Sequence, residues 1–168
     1  ALPLSLRLIR DLHRELLDDV RGNHARPGEF RRSQNFIGHP GDTLGTARYV
    51  PPPVPEMHAC LDEFERRLHR DPERLPVLVK VALVHYQFEA IHPFPDGNGR
   101  TGRILLILYL LLVRLLEQPI LFLSRYIIEH KSLYYQPLRD VTEKGAWEPW
   151  ILFVLRAVES TAETTVMK

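Results

Sequence analysis

Apolar residues recur at helical spacing in four stretches of the chain. Leu6, Ile9, His13, Leu16, Leu17 and Val20 share one face, and Gly22 follows where helices commonly stop, so a first helix of about four turns is expected. Met57, Cys60, Leu61, Phe64 and Leu68 repeat the pattern after Pro55, a residue suited to a first helical turn because its missing N–H is not needed there. A third stripe, Leu78, Val79, Ala82, Leu83 and Tyr86, begins near Pro76, and a fourth, Trp150, Phe153, Val154 and Ala157, follows Pro149. Ile104 to Val113 is different: apolar throughout, with no polar face, and ended by Arg114. A bilayer span takes about 20 apolar residues, so this shorter run predicts a buried helix at the centre of a helical domain.

Between the first two stripes the period is lost. The segment GEFRRSQNFIGHPGDTLGTARYVPPP has glycines at 28, 38, 41 and 45 and three consecutive prolines at 51 to 53. Its aromatic and β-branched residues suggest two short strands, Ser33 to Ile37 and Thr46 to Val50, around a turn at His39-Pro40-Gly41-Asp42. The predicted frame is all-α with one small β-hairpin.

Composition narrows the class. At 168 residues and 45% hydrophobic content the chain suits a single domain, 1–168, and excludes disordered, collagen-like and disulfide-scaffold proteins. Lys plus Arg is 22 against 21 Asp plus Glu, so no bulk charge marks it for nucleic acid or an anionic membrane. Cys60 is the lone cysteine and lies on an apolar stripe, which favours a core thiol over a nucleophile. A single thiol fits a reducing compartment, and the cytoplasm is the expected location. The first residues, ALPLSLRLIRDLHREL, lack the order of a signal peptide.

Polar chemistry is concentrated in His92-Pro93-Phe94-Pro95-Asp96-Gly97-Asn98-Gly99-Arg100-Thr101-Gly102-Arg103, between the third stripe and the apolar run. Gly97, Gly99 and Gly102 spell G-x-G-x-x-G, but the dinucleotide fingerprint needs a preceding strand, and here a helical stripe and Pro95 come first. A glycine-rich turn that opens a helix instead presents unpaired N–H groups and the positive end of the helix dipole, which together make an anion site. Arg100 and Arg103, three apart, share one side of the first helical turn and suit neighbouring phosphates. Asp96 stands where Mg²⁺ could bridge carboxylate and phosphate oxygens, and His92 where a base could act on an incoming hydroxyl. His85 and His92, seven apart, could share a helical face but find no third ligand at metal spacing, and His13, His24, His58, His69 and His130 suggest no role.

This stretch resembles the Fic family signature, H-P-F-x-[DE]-G-N-G-R-x-x-R, with every specified position filled across 92–103. The likeness extends over 29–158: RRSQNFIG and VPPP resemble the family's flap, 31–53, and LYYQPLRDV with GAWEPW its C-terminal helices. The resemblance implies a helical Fic fold and a protein adenylyltransferase, which moves AMP from ATP to a Ser, Thr or Tyr hydroxyl of a protein and releases pyrophosphate. It makes His92 the general base and Asp96 the Mg²⁺ ligand, with Gly97, Asn98 and Gly99 as the anion hole. Arg100 and Arg103 would hold the β and γ phosphates, Tyr134 and Tyr135 would wall the adenine, and Phe94 would anchor the loop. It also implies a protein substrate docked along the flap by strand addition. Transfer of another moiety, removal of AMP, and an idle peptide-binding module are the alternatives. The family's inhibitory pattern, [ST]-x-x-x-E-[GN], does not occur in the chain, so inhibition is expected from a segment upstream of Ala1 or an antitoxin-like partner, or is absent.

Overall fold

The computed structural model describes residues 4–18, 26–70, 74–121 and 123–166, and these form helices without a named strand. The helices are α1 (Leu6–Leu17), α2 (Val54–His69), α3 (Val77–Ile91), α4 (Asn98–Leu112), α5 (Leu123–Glu129), α6 (Lys131–Lys144) and α7 (Trp147–Val166). They gather into two compact units. One comprises the described residues of Ala1–Asp71 with Gln87–Gly102, the other those of Pro72–Tyr86 with Arg103–Lys168.

In the first unit, Ser5 caps α1 by accepting the Leu8 N–H, and Ile9, His13 and Leu17 form the buried face the periodicity predicted. Val20 and Gly22 lie outside the described residues. α2 starts with a proline in its first turn, as expected, and buries Met57, Leu61, Phe64 and Leu68. Phe64 meets Phe88 at 6.1 Å between ring centroids, Phe88 lies 6.5 Å from Phe94, and Phe30 lies 5.2 Å from Phe94. Phe94, fully buried, is thus the anchor that brings the signature turn into the aromatic core.

The segment between α1 and α2 corrects the hairpin expectation. The turn at His39 to Asp42 forms, with the Asp42 N–H donating to the His39 carbonyl and Gly41 at φ +96°. Of the two strands, only one antiparallel pair remains, Ile37 with Tyr49, exchanging bonds of 2.8 and 3.0 Å. Asp42 accepts from the His39 N–H and from the Thr46 hydroxyl, and the Thr43 carbonyl accepts from the Ala47 N–H. Such local side-chain bonds curl the Asp42 to Arg48 insert into turns of its own and take backbone groups that a ladder would use.

In the second unit, Trp150 is fully buried and donates its indole N–H to the Ala82 carbonyl at 2.8 Å, tying α7 to α3. α6 runs through Pro137 and stops at Gly145, whose φ of +65° suits the left-handed cap that glycine adopts without strain. The apolar run forms most of α4, where Leu105, Leu106, Tyr109 and Leu110 are buried but Leu112 is exposed. The expectation of burial on all sides is corrected: one face of the helix is buried, while Ile104, Ile107 and Leu108 on the other are half-buried. α5, seven residues long, has no stripe of its own in the sequence.

Candidate active site

The signature turn leaves α3 at His92 and re-enters a helix at Asn98, so its residues are placed by one short backbone path. That path is fixed almost carbonyl by carbonyl. Tyr49 donates its hydroxyl to the Ala90 carbonyl at 2.7 Å. Arg31 donates its Nε to the His92 carbonyl at 3.1 Å and its backbone N–H to the Pro93 carbonyl at 2.8 Å. The Phe94 carbonyl accepts from Asn98 Nδ2 at 2.8 Å and from Asn35 Nδ2 at 3.2 Å, while Asn98 Oδ1 takes the Phe94 N–H. Asn98 is buried, so its side chain staples the turn and its backbone N–H is what it offers an anion.

His13 holds the next carbonyl. It is fully buried, accepts the Gly28 N–H at Nδ1 (2.8 Å) and donates Nε2–H to the Asp96 carbonyl (2.9 Å). The two bonds demand the neutral tautomer with the proton on Nε2, and burial lowers the pKa in the same sense. Its ring stacks on Phe94 at 3.7 Å and 4°. Gly97 has φ +79°, and a Cβ there would lie 3.2 Å from His13 Nε2, so the turn uses glycine both for its backbone and for its closeness to this ring.

His92 is partly buried and has the left-handed φ of +48°. Its Nδ1 lies 3.3 Å from the Glu89 carbonyl and donates to it, which leaves Nε2 as the lone-pair nitrogen, with no hydrogen-bond partner among the described residues. Burial is the main cause that brings its pKa down to about 4; the Glu89 bond opposes this, Arg31 adds to it, and Asp96 opposes it. The imidazole is therefore neutral at physiological pH and ready to accept a proton.

Asp96 is the exposed acid of the turn, its side chain 68% accessible. Oδ1 takes the Gly97 N–H at 2.6 Å and Oδ2 lies 3.7 Å from Arg100 Nη2. The Gly97 N–H is thus engaged by the neighbouring carboxylate, and the α4 N-terminus supplies the N–H groups of Asn98, Gly99 and Arg100 for an anion. Among the described residues no three His, Cys, Asp or Glu side chains cluster into a metal site. An ion here would be held by Asp96 with phosphate and water oxygens, the mode that suits Mg²⁺.

Arg103, on α4 one turn beyond Arg100, belongs to the second unit, where its Nε is buried with no hydrogen-bond partner among the described residues. Tyr134 and Tyr135 are in that unit as well. Tyr134 is buried, its hydroxyl 3.0 Å from His85 Nε2 and its ring against Trp150 and Phe153; Tyr135 is 52% exposed. The pair therefore divides: one ring packs the core and the other remains accessible.

Sequence reasoning finds Phe94 as the anchor of the turn but misses four residues that hold it, His13, Arg31, Asn35 and Tyr49. It gives His13 no role, although the place of this histidine on an apolar stripe marks it as buried. Arg31, Asn35 and Tyr49 carry no local signal, since the groups they bind lie 41 to 61 positions away.

A model of the Fic/DOC family matches residues 3–110. The protein adenylyltransferase Fic of Aedes aegypti is 32% identical over 161 residues, which make up 95% of this chain and 29% of that protein. The chain thus spans less than a third of the length of the curated relatives it matches. Among solved structures, a Fic family protein from Desulfovibrio desulfuricans G20 aligns with a TM-score of 0.79 at 26% identity, covering 97% of this chain and 47% of that one. Fic-1 of C. elegans shares the fold, with a TM-score of 0.74 at 23% identity over 97% of this chain and 43% of that one. The match takes in the flap segment and the signature turn that it holds, and this chain belongs to the Fic/DOC family.

Proposed function

We propose that this chain transfers AMP from ATP to a Ser, Thr or Tyr hydroxyl of a protein. The observation that carries the reading is His92: a neutral imidazole, Nδ1–H committed to a carbonyl and Nε2 open, at the end of a complete signature turn that leads into a helix N-terminus. The relatives named protein adenylyltransferase Fic support the same reading.

The hydroxyl oxygen would form a bond to the α-phosphorus of ATP, the bond from that phosphorus to the α–β bridging oxygen would break, and pyrophosphate would leave. The hydroxyl proton would pass to His92 Nε2. A weak base suffices because the hydroxyl becomes acidic only as its bond to phosphorus forms. The N–H groups at the start of α4 would face the phosphates, with Arg100 beside Asp96. The signature assigns Arg103 to the γ-phosphate, and its unpartnered Nε is consistent with a donor awaiting an anion. Bound Mg²⁺ would neutralise phosphate charge, and Asp96 has the exposed carboxylate to hold it. Of the tyrosine pair, Tyr135 has the accessible ring for the adenine, and Tyr134 would support it from the core. A protein substrate would add its extended segment beside Ile37 and Tyr49, where Phe36 is exposed.

The test is transfer of label from ATP carrying ³²P at the α-phosphate to a protein acceptor. His92→Ala should abolish transfer and leave nucleotide affinity within a few-fold. Transfer by that variant at the wild-type rate would overturn the assignment, as would label that appears only from γ-labelled ATP.

A further inference from the structure

His92 is held where its own chemistry disfavours it. A side chain at φ +48° occupies the left-handed region, and the residue before a proline is ordinarily driven to extended backbone, yet Pro93 follows directly. Such a conformation persists only where the surroundings over-determine it. α3 supplies one restraint, the His92 N–H donating to the Phe88 carbonyl at 3.1 Å. The Nδ1–H bond to the Glu89 carbonyl is a second, on the ring, and Arg31 supplies two more on the backbone.

Arg31 is 2% exposed, and its guanidinium reaches three main-chain carbonyls: His92 through Nε, Ser33 through Nη1 at 3.4 Å, and Pro52 through Nη2. Its own N–H takes the Pro93 carbonyl, so one residue grips both sides of the His92–Pro93 peptide. Ser33 and Pro52 stand at the two ends of the segment that carries the Ile37–Tyr49 pair. Burying a guanidinium is costly, and a shorter or neutral side chain lacks the planar fork that spans three acceptors.

We propose that Arg31 is a positioning residue for His92, holding the strained His92–Pro93 peptide to both roots of the flap segment so that Nε2 faces the incoming hydroxyl. The inference deepens the adenylyltransferase reading and rests on it for the identity of the hydroxyl, but the positioning itself is measurable without turnover. Closure of a substrate strand on the segment would then be felt at the base through one side chain.

Two readouts test this in the 168-residue chain. The first is the ring ¹⁵N signature of His92, which reports whether Nδ1 keeps the proton. Wild type should show the Nδ1–H form, R31K a mixture, and R31Q an averaged ring. The second is the split between single-turnover transfer and ATP affinity: R31K should transfer at least tenfold more slowly with its ATP Kd within twofold of wild type. An R31K protein with the wild-type His92 signature and transfer within twofold would overturn the proposal. If wild type shows no AMP transfer, the functional reading fails, while the ¹⁵N signatures still decide the positioning. Should the Arg31 variants not fold, the comparison of H92G with H92A decides whether the backbone is held strained. H92G should unfold at higher urea than H92A, because glycine takes φ +48° without penalty, and the reverse order would remove the basis of the inference.

Discussion

Replacing His13 by Phe should destabilise the protein through two hydrogen bonds while keeping the ring that stacks on Phe94. The variant leaves the buried Gly28 N–H without the Nδ1 acceptor 2.8 Å away and the Asp96 carbonyl without the Nε2–H donor at 2.9 Å. A buried donor left unmet costs about 1–3 kcal/mol, and the carbonyl, on an exposed residue that water reaches, adds about 1 kcal/mol. The stack at 3.7 Å, worth about 0.5–1.5 kcal/mol, is retained by the phenyl ring. The expected loss is about 2–4 kcal/mol, read as a fall in the urea midpoint at unchanged slope, or as a drop in Tm of roughly 5–15 °C for a chain of this size. His13→Asn reverses the trade: its amide oxygen can occupy the place of Nδ1 and accept the Gly28 N–H, but the stack on Phe94 and the donor to the Asp96 carbonyl are lost. His13→Phe should also weaken ATP binding in Mg²⁺, because the Asp96–Gly97 turn loses its tether. A His13→Phe protein within about 0.5 kcal/mol of wild type would refute the account of this histidine as the bridge between the first helix and the turn.

Acid should destabilise the fold in a defined window: His13 and His92 have pKa values below 6.5, His92 at about 4, so the unfolded chain takes up protons that the folded one refuses. Their contribution is complete above pH 6.5 and is lost as pH falls towards 4, about 3 kcal/mol for His92; equal urea midpoints at pH 5 and 7 would contradict this. Gly97→Ala, which forces a side chain to φ +79° and a Cβ to 3.2 Å from His13, should cost more than about 1 kcal/mol by urea titration and reduce transfer strongly. Asp96→Ala should weaken ATP binding at least tenfold in Mg²⁺ and little in EDTA by calorimetry, and an equal loss in both would remove Asp96 as the ion's ligand.

The helices that carry a stripe and the chemistry of the turn are legible in the sequence because both are written at short range, whereas α5 has no stripe to read. A stripe repeating at i, i+3, i+4 and i+7 specifies a buried helical face wherever the helix packs, as α2 and α7 bear out. The signature is equally local: glycines for a tight turn, an acid and arginines beside a helix N-terminus, all within 92–103. The tertiary structure decided what holds those residues in place. No local pattern brings Arg31 to the carbonyl of a histidine 61 positions away, or His13 to a carbonyl 83 positions away, because both bonds exist only once the aromatic core around Phe94 has closed. The two flap strands fail for a related reason. Strand propensity is a weak preference that depends on the neighbouring strand, and here the His39 N–H turns to Asp42 and the Ala47 N–H to the Thr43 carbonyl, backbone groups that a longer ladder would use, leaving the one pair that Tyr49 anchors to the Ala90 carbonyl.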